Sequence, residues 1–95
     1  MAISSGQITS AAAYTYVNPC FIMDVALIGG SDAATITIRD GGASGTIKWD
    51  GKVAASTTMP QKEFPEGLRI FTSGANSGLY VAVTGTGAVG YVTLR

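Results

Sequence analysis

Residues Gly85 to Gly90 read GTGAVG, the G-x-G-x-x-G spacing that can cradle the pyrophosphate of a dinucleotide, and they follow an alternating apolar run as that motif should. The chemistry needs a helix to start at the last glycine, so that its free N–H groups and its dipole face the phosphates. The residues that follow, YVTLR, alternate as a strand instead. The string is therefore expected to be a hairpin turn, and no cofactor is expected.

The other groups able to do chemistry are few. Six carboxylates are present, Asp24, Asp32, Asp40, Asp50, Glu63 and Glu66. A glycosidase would need two of them to face each other across a cleft. Asp40 and Asp50 instead fall where Asp bonds to its local backbone in turns, and Glu63 and Glu66 bracket a Pro-bearing turn. The chain has no His, which removes the usual general base and the commonest metal ligand. Cys20 is the sole cysteine, so there is neither an internal disulfide nor a zinc set, and no calcium loop of the D-x-D-x-D-G kind occurs. Cys20 opens a dense apolar run, the setting of a buried, inert thiol. No catalytic residue and no metal ligand is expected, and the chain is read as not an enzyme.

What must position these groups is a chain of 95 residues, long enough for one domain. Charged residues are 13% of it, against about 25% in ordinary soluble domains, and 46% are hydrophobic. Mean hydropathy is +0.32. A free monomer normally carries more charge, so part of the outer surface is expected to be covered by other subunits. Six cations and six carboxylates cancel, and the nearest approach to a basic cluster is Lys48 and Lys52 astride Asp50. That argues against a nucleic-acid groove. No apolar run is long enough to cross a membrane. The first twenty residues lack Lys, Arg and a continuous apolar stretch, which is unlike a secretory signal and points to synthesis in the cytoplasm.

Residues 1–18 are uncharged and rich in Ser, Ala and Thr, and are read as an extended N-terminal arm, with residues 19–95 as the folded domain. In an extended arm Tyr14 and Tyr16 share one side, which suits an interface; the alternative is an arm folded back on its own domain. Cys20 to Ile28 reads as a strand buried on both faces, and Ala34 to Arg39 as a half-buried strand. Thr46 to Trp49 is extended, and Asp50-Gly51 predicts a two-residue hairpin that sets Trp49 opposite Lys52 and Ile47 opposite Ala54. Trp49 is either a sugar-stacking platform beside that turn or a packing residue. Ser56 to Pro65, with two prolines, predicts a loop crossing between sheets, with a short edge strand as the alternative. Strands follow at Leu68 to Thr72, Leu79 to Thr84 and Ala88 to Leu94. Apolar residues nowhere recur at helical spacing over three turns. The expected fold is an all-β, antiparallel β-sandwich, jelly-roll-like, of about seven or eight short strands.

The order of features, CFIMDVALIGGSDAATITIRDG, then a short hairpin, the turn FPEGLRI and GLYVAVTGTGAVGYVTLR, resembles the small β-sandwich virion proteins of tailed bacteriophages. These include capsid decoration (cement) proteins and related head or tail surface modules. The resemblance spans Phe21 to Arg95 and implies a protein made in the host cytoplasm and added to the outside of an assembled head. Its partners would be the major capsid protein and further copies of itself, often as a trimer, with neither nucleic acid nor membrane. The family offers no active-site residues to carry over. The long uncharged segment before Asn18 departs from the pattern. A second expectation is a carbohydrate- or receptor-binding module of a tail or fibre, with Trp49 and the Asp40 to Gly45 loop as its contact surface.

Overall fold

The computed structural model describes residues 3–72, 74 and 77–95. Within them the strands are Ile3–Ser4 (β1), Ile8–Thr9 (β2), Tyr14–Tyr16 (β3), Cys20–Ile28 (β4), Ala34–Asp40 (β5), Thr46–Val53 (β6), Thr58–Ile70 (β7), Leu79–Thr84 (β8) and Val89–Leu94 (β9). A single 3-10 turn, Gly42–Ser44, follows β5. One sheet runs β1-β9-β4-β7, with β2 also paired to β9, and the other runs β3-β8-β5-β6. All pairings are antiparallel.

One core lies between the two sheets, built by the period-two alternation that gives each strand an apolar side. From β5 come Ala34, Ile36 and Ile38, from β8 Leu79, Val81 and Val83, and from β9 Val92 and Leu94, all buried. Fully burying a side chain such as Ile36 or Leu79 contributes about 1.5–3 kcal/mol. On β4 the buried set is Cys20, Ile22, Val25 and Leu27. The step of three between Ile22 and Val25 is a β-bulge: Ile22 pairs with Leu94 and Asp24 with Thr93, so two residues on β4 oppose one step on β9. The bulge keeps Asp24 on the outer side. The strand is thus buried on one face, not on both as its apolar run suggests.

Three other expectations are corrected. Asp50 and Gly51 form no hairpin. They lie inside β6, opposite Thr37 and Ile36, while Trp49 faces Ile38 and Ile47 faces Arg39. Gly51 is needed for packing, since a Cβ there would come within 2.7 Å of the Trp49 ring and 3.1 Å of the Met59 sulfur. Ser56 to Pro65 is mostly strand, because β7 is an edge that pairs with β4 alone and tolerates proline N–H groups that are absent. Its register slips between Met59 and Lys62, beside Pro60, and again between Glu63 and Leu68, beside Pro65. Gly85 to Ala88 is a turn with Gly85 and Gly87 at positive φ, but β8 and β9 belong to different sheets. The turn is a corner between layers rather than the hairpin expected.

The N-terminal segment is extended, yet it does not leave the domain. β1 and β2 lie along β9, and β3 lies along β8, so residues 3–16 close one side of both sheets. Ile8 is 2% exposed and belongs to the core.

Asp40 ties down one end of the molecule. Its carboxylate accepts from the Phe71 N–H (2.9 Å), the Thr72 N–H (3.0 Å) and the Thr72 hydroxyl (2.6 Å), while Thr72 Oγ1 accepts from the Gly78 N–H (2.8 Å). Partial burial pushes the Asp40 pKa up, but the Thr72 hydroxyl, the two N–H groups and the Lys48 charge outweigh it, and the net shift is downward. A depressed carboxylate pKa contributes stability that is complete above the unfolded value and is lost as pH falls through the folded one. Melting temperature should therefore fall on acidification below about pH 4, and the Asp40→Asn variant should lose that component of the fall. At neutral pH the variant should melt roughly 4–8 °C lower, for about 1 kcal/mol of lost bonding. Thermal melts followed by circular dichroism across pH check both; an unchanged acid limb would refute the assignment.

Candidate surface site

The residues singled out in the sequence take packing positions. Tyr14 pairs with Val81 and Tyr16 with Leu79, and both rings lie half-buried against the core. Burial, with Tyr16 and Cys20 nearby, raises the Tyr14 pKa. Trp49 packs on the core and meets Phe64 edge to face, ring centres 5.9 Å apart. Cys20 is buried, and burial followed by the Asp40 charge raises its pKa, so the thiolate needed for reactivity is disfavoured.

A different set of residues converges on the surface. Phe21, on β4, lies between Arg69 of β7, its cross-strand partner, and Arg95, with which it exchanges two backbone hydrogen bonds of 2.8 Å. Residues directly opposite across strands share a face, so both guanidinium groups reach the ring, Arg95 at 5.4 Å and Arg69 at 6.0 Å from its centre. Arg69 also lies 4.7 Å from the centre of Phe71, and Lys48 Nζ lies 5.2 Å from it. The result is a continuous alternation, Lys48, Phe71, Arg69, Phe21, Arg95.

Three members are placed by features of neighbouring strands. Lys48 is the extra residue in a bulge of β6, since Ile38 pairs with Trp49 and Arg39 with Ile47. Phe71 follows the end of β7 and is held by its N–H bond to Asp40, with its side chain 57% exposed. Gly67, at φ 81 in the FPEGLRI segment, leaves room for Phe21: a Cβ there would be 2.9 Å from the ring. The Arg69 and Arg95 guanidinium groups lie over rings, which leaves their N–H groups for a ligand, while the Lys48 charge also acts on the Asp40 carboxylate.

Beyond this row, the outward positions of β4 and β9 are Met23, Ala26, Ile28, Val89, Tyr91 and Thr93, with Asp24 as their one charge. A separate shallow cleft of about 290 Å³ lies near the 3-10 turn, lined by Thr15, Gly41, Gly42, Ser44, Ser77 and Tyr80 among others. Trp49 does not line it.

No family model, no curated protein and no solved structure matches this chain. The surface must therefore be read from its own chemistry. Among the described residues no group of three or more His, Cys, Asp or Glu side chains could hold a metal ion, and no helix is long and apolar enough to cross a membrane. The row can bind anions through guanidinium N–H groups and can present apolar ring edges between them. Its members are scattered along the chain, and composition carries no sign of them.

Proposed function

We propose that this chain is a virion surface module of the tailed-bacteriophage kind, a capsid decoration protein that docks on the outside of an assembled head. The observation that carries the reading is the outer face of β4 and β9, where Met23, Ala26, Ile28, Val89 and Tyr91 are apolar and Asp24 alone is charged. A sheet face of that kind is normally covered. Neighbouring copies, arranged as a trimer, and the major capsid protein are the proposed covers. The strand order supports a jelly roll: the sheets run β1/β2-β9-β4-β7 and β3-β8-β5-β6, and the chain crosses between them at every step except β1 to β2 and β5 to β6.

Such a protein acts without chemistry. Binding the assembled head and not its free subunits stabilises the shell by mass action, by about 2.7 kcal/mol per site when free protein stands at 100 times its Kd. Expanded heads assembled without the protein should capture it on sedimentation and then resist heat to a higher temperature. Protein that stays in the supernatant at every ratio would remove the reading.

The cleft beside Gly41 and Gly42 favours a second reading, a carbohydrate- or receptor-binding module of a tail or fibre. Tyr80 offers an aromatic side chain and Thr15, Ser44 and Ser77 offer hydroxyls. Glycan-array binding that disappears in Tyr80→Ala would select it over the first.

A further inference from the structure

We infer that the row Lys48, Phe71, Arg69, Phe21, Arg95 is a docking surface for a carboxylate-rich protein surface. The inference rests on the docking reading above and names the chemistry of the partner at one end of the same sheet. Three of the chain's six cations stand in this row, interleaved with two phenylalanines; both guanidinium groups lie over the rings, and the Lys48 charge is shared between Phe71 and the Asp40 carboxylate. A guanidinium over a ring is held in place while its N–H fork stays available, and a carboxylate fits that fork with two parallel bonds. Arg69, Phe71 and Arg95 are exposed and Phe21 is half-buried, so apolar surface lies between the two guanidinium groups.

Three features favour an acidic protein over a nucleic acid, the other polyanion that basic and aromatic residues together attract. A single strand stacks its bases on free ring faces. Here each ring already has two cations over it, Phe71 with Arg69 and Lys48, and Phe21 with Arg69 and Arg95. Three phosphate contacts would also supply only a weak counterion-release term, a salt slope of roughly −2 for single strands. Finally, the row continues directly into the apolar outward positions of β4 and β9, Met23, Ala26 and Tyr91. A flat apolar face beside a charged edge is the core-and-rim anatomy of a protein interface.

The test uses the full chain and the double variant Arg69→Gln/Arg95→Gln. Both side chains are exposed, and unchanged melting temperature and backbone amide spectrum would establish that the variant keeps the fold. In the first arm a polyglutamate peptide and an oligothymidylate are titrated separately at low salt while backbone amides are followed by NMR. Polyglutamate should shift the amides of Phe21, Lys48, Arg69, Phe71 and Arg95, more strongly than oligothymidylate does, and the double variant should lose the response. Absence of polyglutamate shifts, shifts elsewhere, or preference for oligothymidylate would overturn the inference. In the second arm both proteins are sedimented with expanded heads assembled without the protein. The variant should bind about ten-fold more weakly, and its affinity should depend less on salt. Equal binding by both proteins would overturn the row's role while leaving head docking intact. If neither protein sediments with heads, the decoration reading fails, and the peptide arm alone decides the row.

Discussion

A chain beginning at Pro19 is expected not to fold. Residues 3–16 look dispensable in sequence, an uncharged run ahead of the first long strand, and an arm used only for docking could be removed without loss of stability. In the structure the same residues supply β1, β2 and β3, which cover the open sides of β9 and β8. Their loss removes Ile8 from the core, and with it the half-buried packing of Ile3, Tyr14 and Tyr16. Deleting one buried isoleucine side chain costs about 2–5 kcal/mol. A domain of this size has roughly 5–14 kcal/mol in total, so adding three further side chains and two unpaired strand edges exhausts most of it. Circular dichroism and an amide spectrum of the truncated chain check this directly. A cooperative melt within a few degrees of the full chain would show that the N-terminal segment is an appendage after all.

The second large effect is expected from one methyl group. At Gly30 a Cβ would collide with the Thr86 carbonyl oxygen, and would lie 2.5 Å from the Gly87 carbonyl carbon and 2.8 Å from its Cα. All three are backbone atoms and cannot swing aside. They are also pinned: the Ser31 N–H donates to the Thr86 carbonyl (3.0 Å), the Ser56 N–H to the Gly30 carbonyl (2.8 Å), and the Gly29 N–H to the Thr57 carbonyl (2.8 Å). Three connections between the sheets, residues 29–33, 54–57 and 85–88, are thereby laced together at one end. Gly30→Ala must break this lacing, at about 3 kcal/mol or more, which lowers the melting temperature by at least 12 °C or so. Gly6→Ala is the matched comparison. Gly6 has φ 70 but nothing within 4 Å of its would-be Cβ, so only backbone strain of about 1 kcal/mol applies. A Gly30→Ala loss no larger than that of Gly6→Ala would mean that the corner yields.

The long apolar and alternating strands are legible in the sequence. Ala34 to Arg39, Leu79 to Thr84 and Ala88 to Leu94 follow from period-two apolar spacing and Cys20 to Ile28 from its dense apolar run, and with them the all-β class and the antiparallel pairing. The errors share a physical cause, which is that Gly and Pro have more than one use. Asp50-Gly51 carries hairpin chemistry, but Gly51 is small because Trp49 and Met59 fill the space above it. Pro60 and Pro65 signal a loop, yet an unpaired strand edge accepts them equally well. The glycines at 85 and 87 permit a tight reversal and say nothing about whether the next strand joins the same sheet. The candidate site was hidden for a stronger reason. Lys48 is aimed by a bulge, Phe71 by the Asp40 carboxylate, and Arg95 by its pairing with Phe21, and none of these relations is local in the chain.

The sheet order also governs how the chain reaches this structure during synthesis. β8 is an interior strand of its sheet, between β3 and β5, and β9 is interior to the other, between β1 and β4. Ile3 and Ile8 are made well before their partners Leu94 and Gly90. Until then both layers lack a central strand, and neither the early hydrophobic segments nor the β5–β6 pair can close a core. Folding of this domain is therefore an all-or-none event that waits for β8 and β9, and the apolar strands made before them stay uncovered until those two arrive.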